Sequence, residues 1–162
     1  KALLREAGVT DLKLRLILPP PEYARRGGEI IAQQLKAIGI TVEIVPVEWA
    51  QWLSDVFKAR NYDLTIISHV EPMDLDIYAR DDYYFDYKSP AYKALYAELA
   101  TTTDEAKRLE LIGKAQKMLA DDCVNVFLFL LPKSGIWNAK LKGLWENAPI
   151  PVNDLTEVEW VE

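Results

Sequence analysis

Between Leu12 and Ile67 the hydrophobic period of the sequence switches repeatedly between two and about three and a half residues, and this alternation constrains the fold most. Leu12-Lys13-Leu14-Arg15-Leu16 is apolar at every second position and runs on into Ile17-Leu18, as a strand does when it enters a sheet from a solvated end. Pro19, Pro20 and Pro21 stop it, because proline offers no N–H to a ladder. From Ala24 to Ile38 the apolar positions are Ala24, Gly28, Ile31, Leu35 and Ile38, a helical face that Gly39 ends. Ile40 to Val47 reads as a second strand and Trp49, Trp52, Leu53, Val56 and Phe57 as one face of a second helix. Asn61 to Asp63 turns the chain into a third strand from Leu64 to Ile67. A short helix over residues 2–7, stopped by Gly8, precedes the first strand.

This β-α-β-α-β order, with crossovers long enough for parallel pairing, predicts an α/β fold. Pro46 inside the second strand places that strand at an edge. Right-handed crossovers then give the strand order 2-1-3. In an open sheet of this kind ligands bind beyond the carboxyl ends of the strands, where the order reverses. That point lies between strands one and three, and the segments leaving it are Pro19 to Arg26 and Ser68 to Tyr87.

The second of these segments is unusual in composition. It holds the only histidine, His69, with Glu71, Asp74, Asp76, Asp81, Asp82 and Asp86, and with Tyr78, Tyr83, Tyr84 and Tyr87. A core does not need that density of polar groups outside periodic structure, so the stretch reads as a loop that the sheet presents to a partner. The candidate ligand-binding residues are His69, Glu71, Pro72, Asp74, Asp76, Tyr78, Tyr83 and Tyr84 on this loop, with Pro20 and Tyr23 on the first one. Clustered carboxylates beside aromatics suit a cationic or hydrogen-bonding ligand. The tyrosines equally suit packing beneath a long loop, and Trp49 and Trp52 suit the core. His69 directly follows a strand, where it either bonds backbone or meets ligand. Acid–base catalysis by His69 with Glu71 or Asp74 rests on residue type alone, since no nucleophile elbow, glycine loop or metal set accompanies them. Gly27-Gly28 lacks a phosphate-binding pattern, and Arg25 and Arg26 read as a solvated face.

Further on, Ser89 and Pro90 form a cap and first-turn pair for a helix whose face is Tyr92, Leu95, Tyr96 and Leu99. Thr102 to Glu105 has capping-box spacing, with Asp104 as the alternative cap. The helix that follows buries Leu111, Ile112, Ala115, Met118 and Leu119 and ends near Asp122. Cys123 is expected to be a buried, inert thiol. Val124 to Leu131 is nearly continuous apolar sequence, which predicts a strand covered on both faces and closed by Pro132. The tail from Leu155 alternates like a strand whose partner lies in another domain.

The 162 residues make about one domain. With 19 basic and 25 acidic residues and a net charge of −6, nucleic acid and anionic membranes are unfavourable partners. One cysteine and one histidine provide neither an intrachain disulfide nor a zinc set. Val126 to Leu131, the longest apolar run, is strand-sized and too short to span a membrane. The amphipathic start is not a signal peptide, so a signal for export would lie outside this sequence.

KALLREAGV before the first strand, then EIIAQQLKAIGITVEIVPVEWAQWL, YDLTIISH and SPAYKALYAELATTTDEAKRLELIGKAQKMLADDCVNVFLF, in this order, resemble the second lobe of the extracellular solute-binding proteins of family 5. Those proteins feed dipeptide, oligopeptide and nickel ABC importers. The resemblance covers nearly the whole chain. It implies a periplasmic-binding-protein-like (type II) lobe over residues 1–146, mainly a parallel sheet of order 2-1-3 plus further strands, with helices on both faces. Residues 147–162 would be a Pro-containing return segment leading to a first lobe. The implied protein is a non-catalytic receptor without a cofactor, periplasmic or extracellular and membrane-anchored. Its implied partners are a solute, the first lobe and a membrane permease, with no nucleic acid. Peptide-binding members place an acidic residue against the peptide amino terminus in the segment that maps to Ser68–Tyr87, so Glu71 or Asp74 is the implied counterpart. Two departures stand out: Ser68-His69 where many members have Gly-Trp, and Glu71-Pro72-Met73-Asp74 where Asp-Pro-Asp is usual. The expected ligand is therefore a peptide or another small polar or cationic solute. The alternatives are an α/β enzyme domain using His69 with a nearby carboxylate, and an acidic-aromatic module that docks a basic protein.

Overall fold

Strand β1 (Lys13–Leu18) is the centre of a parallel sheet, flanked by β2 (Thr41–Pro46) on one side and β3 (Leu64–Thr65) on the other. The structure, a computed structural model, describes residues 1–69, 74–132, 134–146 and 154–162. The order β2-β1-β3 is the predicted one. Pro46 ends the edge strand opposite Leu18, and the ladder passes to the next nitrogen, with Val47 N–H donating to Leu18 C=O at 2.9 Å. The register against β3 pairs Leu16 with Leu64 and Ile17 with Thr65. It is pinned from outside by Asp63, whose Oδ2 accepts from the Arg15 backbone N–H at 2.7 Å.

The chain reverses direction across the sheet after β2, so two right-handed crossovers put their helices on opposite faces. The pleat of β1 divides its side chains accordingly. Leu16 and Leu18 pack with Ala24 and Ile66 under α2 (Glu22–Ala37), while Ile17 points into a larger cluster with Val47, Trp52, Val56 and the aromatic loop. Gly28 lets α2 sit close: a Cβ there would meet Leu18 Cδ1 at 2.4 Å. The short α1 (Ala2–Glu6) precedes the sheet.

The second crossover starts as α3 (Trp49–Trp52) and widens into a π-helical stretch, Leu53–Lys58. The wider turn rotates the face, so of the five apolar residues expected inward only Trp52 and Val56 are buried, and Trp49, Leu53 and Phe57 are exposed. After β3 a six-residue 3₁₀ helix, Asp74–Ala79, leads through the tyrosines to α4 (Pro90–Thr101) and α5 (Glu105–Asp121). Both helix starts are capped: Ser89 Oγ accepts from Tyr92 N–H at 3.2 Å, and Asp104, the alternative cap, accepts from Lys107 N–H at 2.8 Å. Tyr92, Ala115 and Leu119 close the larger cluster.

Three expectations are corrected beyond α5. Cys123 is exposed, because it occupies the left-handed position after the helix (φ 52°), which turns the chain out of the core. Val124 to Leu131 does not form the strand covered on both faces: among the described residues no strand pairs with it, and across Val126–Leu131 exposure runs from 44% at Leu128 to 97% at Leu130. Composition favours a strand there, but a strand also needs a ladder partner. The tail does find a partner in this chain, since β5 (Glu159–Trp160) pairs antiparallel with β4 (Leu141–Lys142). Gly143 makes that approach possible: its φ is +83°, and a Cβ would lie 1.9 Å from the Glu157 carbonyl oxygen.

Candidate functional site

At the carboxyl end of the sheet the chain leaves β1 for α2 and leaves β3 for the acidic stretch. Tyr23, in the first turn of α2, joins these two exits: Ser68 N–H donates to its Oη at 3.0 Å. Pro20, Tyr23 and His69 are half-buried and Ser68 is exposed, so this edge offers both backbone and side chains to solvent.

His69 is mounted on the aromatic layer beneath. Its Nε2 is 3.0 Å from Tyr84 Oη and its Nδ1 3.5 Å from Tyr83 Oη, and the imidazole stacks on Tyr84 with centroids 6.0 Å apart and planes at 8°. A neutral imidazole donates from one nitrogen and accepts at the other, and a hydroxyl suits either. Tyr84 in turn packs edge-on against Trp52 at 5.6 Å, and its carbonyl accepts from Tyr62 Oη at 3.2 Å. Trp52 Nε1–H donates to Thr65 Oγ1 (3.0 Å), which donates to the Ile17 carbonyl (2.7 Å). A continuous path of bonds and ring contacts therefore runs from the central strand to His69.

Tyr78, Tyr83 and Tyr84 are 5%, 8% and 5% exposed. Of the two roles left open for them, packing beneath the loop is the one their rings occupy in this structure. Each is partnered at its hydroxyl, as buried tyrosines require. Tyr78 Oη accepts from Asn125 Nδ2 at 2.6 Å. Asp76 is paired with Arg80 one turn on: Nε donates to its Oδ2 at 3.1 Å, and Nη2 reaches the same oxygen. That hydrogen bond pushes the Arg80 pKa further up, and the guanidinium also lies 5.7 Å from the Tyr83 ring centroid. Asp76 is thus half of an ion pair, not a lone carboxylate. Asp74 is half-buried at the start of the 3₁₀ helix. Glu71 and Pro72 lie outside the described residues.

Four supporting residues have no place among the sequence-derived candidates: Tyr62, Arg80, Tyr92 and Asn125. The four-residue spacing of Asp76 and Arg80 was a usable signal. For Asn125, 47 residues from Tyr78, no local pattern exists. Among the described residues no group of three His, Cys, Asp or Glu side chains converges as a metal site would need.

Burial, first among its causes, raises the phenol pKa of Tyr62, Tyr78, Tyr87 and Tyr92. A phenol raised in the fold ionises first in the unfolded chain. Its contribution is complete below the unfolded value of about pH 10 and is lost as pH rises above it. Urea unfolding is therefore expected to show stability falling by about 1.4 kcal/mol per pH unit for each phenol still protonated in the fold, above about pH 10. Equal stabilities at about pH 9 and about pH 11 would contradict this.

The parallel 2-1-3 sheet, with helices on both faces and an open edge at the β1/β3 reversal, defines a lobe of the periplasmic-binding-protein-like type II class. The family described as bacterial extracellular solute-binding proteins, family 5 Middle, matches residues 1–91. The chain belongs to that family. It is 28% identical over 166 aligned residues to the periplasmic oligopeptide-binding protein OppA of Escherichia coli (strain K12), covering 90% of this chain and 28% of OppA. It therefore spans less than a third of that relative. Among solved structures, a periplasmic oligopeptide-binding protein of Borrelia burgdorferi superposes with a TM-score of 0.82 at 24% identity, over 99% of this chain and 35% of that one. DppA of Helicobacter pylori, an ABC transporter-associated periplasmic binding protein in complex with the peptide STSA, gives 0.73 at 20%, over 99% and 34%. Among the described residues no helix is long and apolar enough to cross a membrane.

Proposed function

We propose that residues 1–146 are the second lobe of the solute-binding receptor of an ABC importer, and that the edge formed by Pro20, Tyr23, Ser68 and His69 is one wall of its solute cleft. The observation that carries this is the Tyr23–Ser68 hydrogen bond at the strand reversal, which joins both loop exits into one surface with His69 fixed on buried rings. Such a wall recognises without reacting: it offers a backbone edge, an imidazole with hydroxyl neighbours and nearby carboxylates. The solute is a peptide or another small polar or cationic molecule, with Asp74 or Glu71 as the partner for its amino group. Residues 147–162 lead back towards a first lobe that supplies the other wall, and closure of the two lobes delivers the solute to a membrane permease. The receptor works in the periplasm, or anchored outside the membrane.

Calorimetric titration of the intact receptor with di- to tetrapeptides tests this. His69→Ala is expected to weaken binding about tenfold or more, through the lost hydrogen bonds. Wild-type affinity in that variant would remove His69 from the wall, and the absence of binding to every peptide and cationic solute would overturn the receptor reading. Recovering cleaved peptide would favour the acid–base alternative.

A further inference from the structure

The 3₁₀ helix Asp74–Ala79 carries Asp74 and Asp76 of the proposed cleft and is only six residues long, so its position depends on its surroundings. Ile77 and Tyr78 are buried in the larger cluster, and two hydrogen bonds from other parts of the chain tie the helix down further. Tyr92 Oη, from α4, donates to the Leu75 carbonyl at 2.9 Å. Asn125 Nδ2, from the segment that follows α5, donates to Tyr78 Oη at 2.6 Å. The two anchors bracket Asp76. The Tyr92 anchor belongs to the packed core, where Tyr92 is fully buried. Asn125 is different: it is half-buried, and the residue after it begins the exposed apolar run Val126–Leu131.

We infer that Asn125 is a positioning residue for solute binding, which ties the exposed Val126–Leu131 run to the acidic turn through Tyr78. This deepens the receptor reading above and rests on it. The Tyr92 bond holds the helix at Leu75 and the Asn125 bond holds it at Tyr78, three residues along. Through Tyr78, Asn125 holds the half of the turn that leads to Arg80, the partner of Asp76. Losing the Asn125 bond leaves the Tyr78 hydroxyl without its donor and loosens the half of the turn that leads to Arg80, which shifts Asp76 and its arginine.

The test uses the intact receptor with Asn125→Ala, Tyr78→Phe, the double variant and Asn125→Asp. In Asn125→Asp the carboxylate accepts where the amide donated, and the phenol becomes the donor, so the bond survives with reversed polarity. Asn125→Ala and Tyr78→Phe are each expected to weaken peptide binding about three- to tenfold, the double variant no further than either, and Asn125→Asp to restore wild-type affinity. Hydrogen exchange at Ile77–Ala79 is expected to quicken in Asn125→Ala without ligand. Unchanged exchange there overturns the positioning role, whatever the receptor binds. Unchanged affinity in Asn125→Ala, in a receptor that His69→Ala disables, overturns this inference and leaves the receptor reading standing. A wild-type receptor without solute affinity brings down both.

Discussion

Replacing Tyr92 by alanine is expected to lower folding stability by about 3–5 kcal/mol, the range for truncating a fully buried aromatic side chain. Tyr92 is 0% exposed and sits where α4, α5 and the acidic loop meet. Its ring makes edge contacts with Tyr78 at 6.1 Å and Tyr87 at 5.7 Å, and its hydroxyl holds the Leu75 carbonyl. Alanine removes the ring, leaves a cavity between elements that are themselves fixed, and orphans the carbonyl. Tyr92→Phe separates the two terms: it keeps the packing and is expected to cost only about 1–2 kcal/mol for the lost bond. Equilibrium urea unfolding of both variants decides the matter. A loss below about 1 kcal/mol in Tyr92→Ala would mean that the cluster around it is not packed as described.

Trp52→Ala is expected to cost a similar amount, about 3–5 kcal/mol, and to do so from the other side of the site. Trp52 is 4% exposed and contacts Trp49, Phe57 and Tyr84 at ring-centroid distances of 5.8, 6.2 and 5.6 Å. Its Nε1–H reaches Thr65, in the two-residue strand whose end carries Ser68 and His69. The effect is therefore double. Stability falls through the lost ring, and His69 loses the layer on which Tyr84 is held. Trp52→Phe keeps most of the apolar volume, and Thr65 Oγ1 still donates to Ile17, so that variant is expected to lose no more than about 1–2 kcal/mol. Equal losses in Trp52→Ala and Trp52→Phe would transfer the main role from ring packing to the indole N–H.

The topology was legible because its determinants are local. Alternation through Leu16, three prolines, the helical face from Ala24 and the position of Pro46 combine with chain handedness to leave one strand order, which also selects the Pro20–Tyr23 and Ser68–His69 exits. The division of labour within the acidic-aromatic stretch was not legible. A tyrosine packed under a loop with its hydroxyl bonded and a tyrosine lining a cleft give the same letter, and only the positions of Trp52, Phe57 and Asn125 distinguish them. The pairing of Asp76 with Arg80 is likewise a matter of side-chain geometry, which the four-residue spacing allows but does not fix. Cys123 and the face of the second helix were misjudged for a shared reason: each depends on a local backbone departure, a left-handed residue in one case and a π-helical widening in the other. Neither departure leaves a hydrophobic signature.

The uncovered run from Val126 to Leu131 has a further consequence for the lobe by itself. Phe127-Leu128-Phe129-Leu130-Leu131 is uncharged, β-favouring, free of proline until Pro132, and without a ladder partner among the described residues. Those are the properties of a segment that stacks on copies of itself in cross-β fashion. A net charge of −6 opposes such stacking at long range only, and its effect is screened within about 8 Å at physiological salt. Self-association of the lobe by itself is thus expected to start from this one short strand's worth of sequence.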